Sequence, residues 1–256
     1  MDLYLQFGHG MKSLTIELSK KWNGITVILS PRDMEPKQLE NWSRDFQKNN
    51  VQCLFDPQCY CPKSELKKLK QYSYWDCHMR TNLESMQNHE ITRISEINDY
   101  NEIAQTTSFI IPYVLESYNE DWKDSWEKRS RKMIEATKKV VTDKEILLTL
   151  ALPQDLLIQN EDEIENIIST ASSWEVDGYY IIAETPGRKY LVDNPLWLAN
   201  VMQLCAGLKL AGKKVIFGYA NHQMLCLSLA KVNAIASGTW LNVRSFTNRF
   251  LDSEEE

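Results

Sequence analysis

Two kinds of segment alternate along this chain. Short runs are apolar at nearly every position and rich in β-branched and aromatic residues. Between them lie longer stretches in which apolar residues recur at three- and four-residue spacing. The short runs predict buried strands at residues 3–8 (LYLQFG), 25–30 (ITVILS), 51–56 (VQCLFD), 109–115 (FIIPYVL), 145–152 (EILLTLAL), 177–184 (DGYYIIAE), 214–219 (KVIFGY) and 234–238 (AIASG). The longer stretches predict helices. Leu14, Leu18 and Trp22 fall on one face of the first, and Pro36 suits the first turn of the second. Further helices are expected near 92–106, near 119–142 and near 161–174, where Ile164, Ile167, Ile168 and Ala171 keep helical spacing. Pro195 and Gly212 bracket another, and MLCLSLAKV forms a short one before the last strand.

Strict alternation of strand and helix implies right-handed crossovers and a parallel sheet. Strands that are apolar on both faces fit a sheet covered by helices. Eight such units in 256 residues match a (β/α)8 TIM-type barrel, a single α/β domain spanning 1–256. An open doubly wound sheet is the competing fold. Two irregularities stand out. Residues 59–90 show no clear period and read as an insert or lid on the third βα connection. After the eighth strand only SFTNRF and an acidic tail remain, so the last helix is expected to be short or missing.

The formal charge of −6, with both signs well mixed, argues against a generally basic nucleic-acid-binding protein. No apolar run is long enough to span a bilayer. The first residues lack the basic and apolar regions of a signal peptide. Six scattered cysteines show no disulfide spacing, so a cytoplasmic location is expected.

Barrel chemistry sits at the C-terminal ends of the strands. Those ends carry His9 between two glycines, Arg32 and Asp33, Asp56 and Gln58, Tyr113 and Glu116, and Glu184. They continue with Asn221 and His222, Ser237-Gly238-Thr239, Asn242 and Arg244. The opposite ends read as plain turns, such as Asn23-Gly24 and Asp177-Gly178. Asp56 and Glu184 each end an apolar run and are the candidate acid/base or nucleophile pair, with His222 as an auxiliary acid. Arg32, Arg244 and the Ser237–Thr239 turn would hold an anion, and Gln58, Asn221 and Asn242 would orient the substrate. His9, flanked by glycines, would let a ligand approach the backbone. Each also has a structural reading: Asp33 as a helix cap, His222 as a packing histidine, Gly238 as a tight turn.

There is no Walker A sequence, no G-x-G-x-x-G and no G-x-S-x-G, so no cofactor is expected. His9 and His222 form no metal-binding pattern. Cys59, Cys61, Cys77 and His78 cluster in the insert, without the C-x2–4-C spacing that structural zinc prefers, and zinc there stays open. The insert also interleaves Lys63, Lys67, Lys68, Lys70 and Arg80 with Tyr60, Tyr72, Tyr74 and Trp75. That mixture can grip phosphates and stack bases, or serve as a lid or a protein interface.

The barrel order and the acidic rim together resemble the tRNA-guanine transglycosylase superfamily. The resemblance implies one carboxylate attacking a sugar carbon and another handling the base proton, roles that would fall to Asp56 and Glu184. The superfamily's C-x-C-x-x-C zinc pattern with a later histidine is missing from this chain. The expectation is therefore a barrel enzyme acting on a phosphorylated or nucleoside-like substrate, by glycosidic-bond chemistry in the most specific form. The alternatives are a non-catalytic barrel serving as a subunit or ligand sensor in an assembly with protein partners, or a nucleic-acid-binding module built on the insert.

Overall fold

The computed structural model describes residues 1–60, 66–75, 90–158, 161–240 and 243–247. Eight parallel strands are found where the pattern placed them: β1 (Asp2–Gln6), β2 (Ile25–Leu29), β3 (Val51–Phe55), β4 (Ser108–Ile111), β5 (Glu145–Leu152), β6 (Gly178–Ala183), β7 (Lys214–Phe217) and β8 (Ala234–Ser237). The helices α1 (Lys12–Trp22), α2 (Pro36–Lys48), α3 (Glu90–Ala104), α4 (Trp122–Val140), α6 (Glu161–Ser172) and α7 (Pro195–Leu210) alternate with them. A single turn, α5 (Gln154–Leu157), directly follows β5 and was not expected from the sequence.

The strand order is β3-β2-β1-β8-β7-β6-β5-β4. Pairing of β1 with β8, with Leu5 opposite Ser237, curls the sheet into a nearly closed barrel. The open seam lies between β3 and β4. Above it, the Leu115 N–H donates to the Tyr60 carbonyl at 2.9 Å and ties the two following loops together. Strands β4 and β6 are buried at every position, which is why they read as continuous apolar runs rather than alternating ones.

The part of the insert that is described, residues 66–75, forms two short 3-10 turns, Leu69–Gln71 and Ser73–Trp75. It packs into the fold beside the seam. Tyr72 lies 4.9 Å from the Tyr100 ring of α3, and Phe55 of β3 lies 5.9 Å from the same ring. The hydroxyls of Tyr72 and Tyr74 donate to the Met34 and Pro57 carbonyls at 3.0 Å. Tyr60, Tyr72, Tyr74 and Trp75 are all buried. Each buried ring contributes roughly 1.5–3 kcal/mol. The rings that the sequence offered for base stacking are thus spent on the core. Of their basic neighbours, Lys67 and Lys70 are exposed, while Lys63 and Arg80 lie outside the described residues.

Two details differ from the periodicity reading. The buried positions of α1 are Thr15 and Ser19, continuing the line from Met11, and Trp22 stands half exposed. Thr15 and Ser19 are compatible with burial because their hydroxyls donate to the Met11 and Asn49 carbonyls at 2.9 and 2.7 Å. At the other end of the chain no α-helix follows β8 among the described residues. Instead, residues 243–246 return across the barrel mouth, and Phe246 forms a parallel bridge with Glu184 at the end of β6. Among the described residues no helix is long and apolar enough to cross a membrane.

Candidate active site

Asp56 is the first residue beyond β3. Its N–H still continues the ladder, donating to the Leu29 carbonyl at 3.1 Å, so the backbone position is fixed by the sheet. The side chain is fully buried. Four donors converge on it. Oδ1 accepts from the Tyr60 hydroxyl at 2.7 Å and from the Gln58 N–H at 2.9 Å. Oδ2 accepts from the Tyr219 hydroxyl at 3.0 Å and the Tyr180 hydroxyl at 3.2 Å. Burial pushes the carboxyl up from its ordinary value of 3.8 to about 6, against the pull of these hydrogen bonds toward the charged form. Burial, reinforced by the neighbouring Asp56 charge, holds the phenols of Tyr60, Tyr180 and Tyr219 well above their usual range, so they remain donors.

Strand alternation explains how β6 reaches this group. Tyr179 points outward, where its hydroxyl donates to the Ala171 carbonyl of α6, and Tyr180 points to the interior. Gly218 makes room for it: a methyl group there would lie 2.7 Å from the Tyr180 hydroxyl. The Tyr180 hydroxyl also lies 3.1 Å from Gln6 Oε1, so one proton faces two acceptors. Gln6 in turn donates to Ser30 Oγ at 3.3 Å, carrying the polar network across the interior to β2. On the other flank, Gln58 Nε2 donates to the Tyr219 oxygen at 3.0 Å, and Gln58 Oε1 accepts the Arg32 N–H at 2.8 Å. Gln58 and Tyr219 both adopt left-handed backbone, with φ of 53° and 54°. That conformation costs a non-glycine residue about 1–2 kcal/mol and is retained where the surroundings demand it.

The segment Val243–Phe246 covers this cluster. The Phe246 ring is buried, 5.3 Å from Tyr60 and 5.5 Å from Tyr219. Its carbonyl accepts the Thr185 N–H at 2.8 Å, and Ser245 Oγ donates to Thr185 Oγ1 at 3.1 Å. Water is thereby kept from a carboxyl that lies at the C-terminal end of the strands.

The other residues proposed from the sequence are distributed around this centre. Glu184 is buried; Oε2 accepts the Gln154 N–H that opens α5 at 2.9 Å, and its carbonyl accepts Trp197 Nε1 at 2.9 Å. Asn221 caps the 3-10 helix His222–Ser228, accepting the Gln223 N–H at 2.8 Å. His222 is exposed, its Nδ1 3.4 Å from the Tyr190 hydroxyl. His9 is exposed and its carbonyl accepts Trp240 Nε1 at 3.0 Å. The N-cap of α2 is Glu35, whose N–H donates to Gln38 Oε1 at 2.9 Å, so Asp33 does not hold the capping position. Gly238 is required by packing, because a methyl there would lie 2.3 Å from Val243 Cγ2 and 2.5 Å from the Gln6 carbonyl oxygen. Arg244 Nε donates to the Gly238 carbonyl. Ser237 is half-buried and Thr239 exposed. Asn242, Cys61, Cys77 and His78 lie outside the described residues, and Cys59 is buried, its thiol pushed up to about 12 by burial. No group of three or more metal-ligating side chains exists among the described residues.

Gln6 and Tyr180 were not singled out from the sequence, Tyr219 was read only as a position at the end of the seventh strand, and Tyr60 only as one of the rings of the insert. The available signal was polar hydroxyl- or amide-bearing residues inside otherwise apolar runs, since a buried hydroxyl needs a partner.

No family model matches the sequence, and no curated protein matches it significantly. Solved structures do match its fold. The 3-dehydroquinate dehydratase from Aquifex aeolicus VF5 is similar with a TM-score of 0.50 at 9% identity, covering 98% of this chain and 95% of its own. A psychrophilic family 10 endo-β-1,4-xylanase is similar with a TM-score of 0.52 at 10% identity, covering 99% and 94%. At such identity the likeness is one of fold. It also corrects the resemblance to the tRNA-guanine transglycosylase superfamily: the neighbours are other TIM barrels, and only the general (β/α)8 plan was shared.

Proposed function

We propose that this chain is a barrel enzyme that carries out general acid–base chemistry on a small anionic substrate, with Asp56 as the proton acceptor. The observation that carries this reading is the buried Asp56 carboxyl, raised to about 6 and held by three tyrosine hydroxyls at the catalytic end of the barrel. A base with that pKa is mostly ionised at neutral pH yet basic enough to take a proton. Tyr180 supplies the freedom the step needs. When its hydroxyl turns to Gln6, an Oδ2 lone pair becomes available to the substrate's proton. The left-handed backbone at Gln58 and Tyr219 supports the same reading, because such strain clusters at functional sites.

The backbone N–H of Arg32 donates to Gln58 and the Arg244 side chain to the Gly238 carbonyl, so both residues border the network, and their positive charge would favour a phosphorylated or carboxylated molecule. Glycosidic chemistry by paired carboxylates fits less well, since Glu184 spends an oxygen on the start of α5. We assign Glu184 the task of holding the rim to which Thr185 and Phe246 attach. Entry of the substrate requires the Val243–Phe246 segment to lift, and its return excludes water. A second reading, a non-catalytic barrel acting through protein partners, is favoured by one observation: both oxygens of Asp56 are already served by protein donors. Incubating a small-metabolite extract with wild-type protein and with Asp56→Asn, followed by mass spectrometry, separates the two. Catalysis predicts a metabolite consumed by the wild type alone. Identical profiles favour the non-catalytic barrel.

A further inference from the structure

A concavity lies at the opposite end of the barrel from Asp56. Its volume is about 600 Å³. The starts of β1 and β2, Gln52 of β3 and the turns that precede β2 and β3 line it. Two asparagine turns form part of its wall. Asn23 and Asn50 both adopt left-handed backbone, with φ of 59° and 56°, and Asn50 Nδ2 donates to the Asn23 carbonyl at 3.1 Å. Gly24 permits this approach: a methyl there would lie 2.7 Å from Asn50 Nδ2. Thr26 and Gln52 add a hydroxyl and an amide from neighbouring strands. The apolar component is Trp22, 50% exposed, with Leu3, 48% exposed.

We propose that this cavity binds a neutral carbohydrate. Among the described residues no lysine, arginine or histidine lines it, and Asp2 does, so an anionic ligand is disfavoured there. A sugar ring presents C–H groups on one face, which suit an open indole, and hydroxyls around its edge, which suit amides and a threonine hydroxyl. Tryptophan with several uncharged hydrogen-bonding side chains in one concave site is the combination such a ligand requires. The site is separate from the proposed acid–base centre and stands or falls without it.

The test is calorimetric titration of the full chain with maltose, cellobiose and chitobiose, repeated with Trp22→Ala and Gln52→Ala and paired with light scattering for mass. The expected result is saturable binding of at least one disaccharide, weakened at least tenfold by Trp22→Ala and measurably by Gln52→Ala, with mass and melting temperature unchanged. If Trp22→Ala fails to fold, Gln52→Ala, at an exposed strand position, decides alone. The proposal is overturned if no disaccharide binds or if the folded variants bind as the wild type does. A wild-type dimer that Trp22→Ala converts to a monomer overturns it too, since a second copy would then cover the face.

Discussion

Replacing Asp56 with asparagine removes a fully buried carboxyl whose charged form is penalised by burial. The folded protein holds this group at about 6 against an ordinary 3.8, so the folded state binds its proton more tightly than the unfolded chain does. The associated stability is fully present below pH 3.8 and is lost as pH rises through 6. A rise of that size corresponds to about 3 kcal/mol at 1.36 kcal/mol per unit. Asp45, Glu145, Glu175 and Asp193, whose pKa values are lowered by lysine partners, act in the opposite direction at lower pH. Those contributions are common to wild type and variant and cancel in the difference. Urea unfolding of both proteins at intervals from pH 4 to pH 7.5 therefore isolates Asp56. The free-energy gap between wild type and Asp56→Asn should shift by about 2–2.5 kcal/mol in the variant's favour across this window, the rest of the change lying below pH 4, and then level off. Parallel curves would refute the reasoning, because they would mean that Asp56 does not titrate there.

Tyr219→Phe removes a hydrogen bond that favours the charged carboxylate, so the Asp56 pKa, followed by carboxyl carbon NMR, should rise by about one unit; a fall contradicts the assignment. Gly218→Ala forces a methyl to within 2.7 Å of the Tyr180 hydroxyl and Ile182 Cδ1, and thermal unfolding should show a loss of about 1–3 kcal/mol. Phe246→Ala removes a ring packed on Tyr60 and Tyr219 and should release the segment that crosses the mouth. The Thr185 amide, which donates to the Phe246 carbonyl, should then exchange its hydrogen faster; unchanged protection would contradict the covering role.

The barrel was legible in the sequence because the strands, β4 and β6 throughout and most of the others toward their C-terminal ends, are buried on both faces and therefore largely apolar. Asp56 was legible for a related reason: a carboxylate placed directly after VQCLF has no cheap explanation. Its partners were not. Tyr179 and Tyr180 are adjacent and chemically identical, and alternation alone says that they diverge without saying which meets the interior. Tyr219 contacts Asp56 across 163 positions, a relation that only barrel closure creates. Nothing in SFTNRF announces that the chain returns to the end of β6, because a single parallel bridge leaves no periodic trace. Asn221 followed the plain rule for its type and caps a helix. Trp22 was misread because the buried positions of α1 are small hydroxyl residues, which a hydrophobic count passes over.

The proposed role of Asp56 is tested most directly by the pH dependence of kcat/KM for a metabolite that the extract experiment shows to be consumed, since that quantity reports ionisation in the free enzyme. A general base at Asp56 predicts a rate that climbs through a single ionisation near pH 6 and then levels, and that Asp56→Asn abolishes. A rate that is flat between pH 5 and pH 7, or that survives in Asp56→Asn, contradicts it.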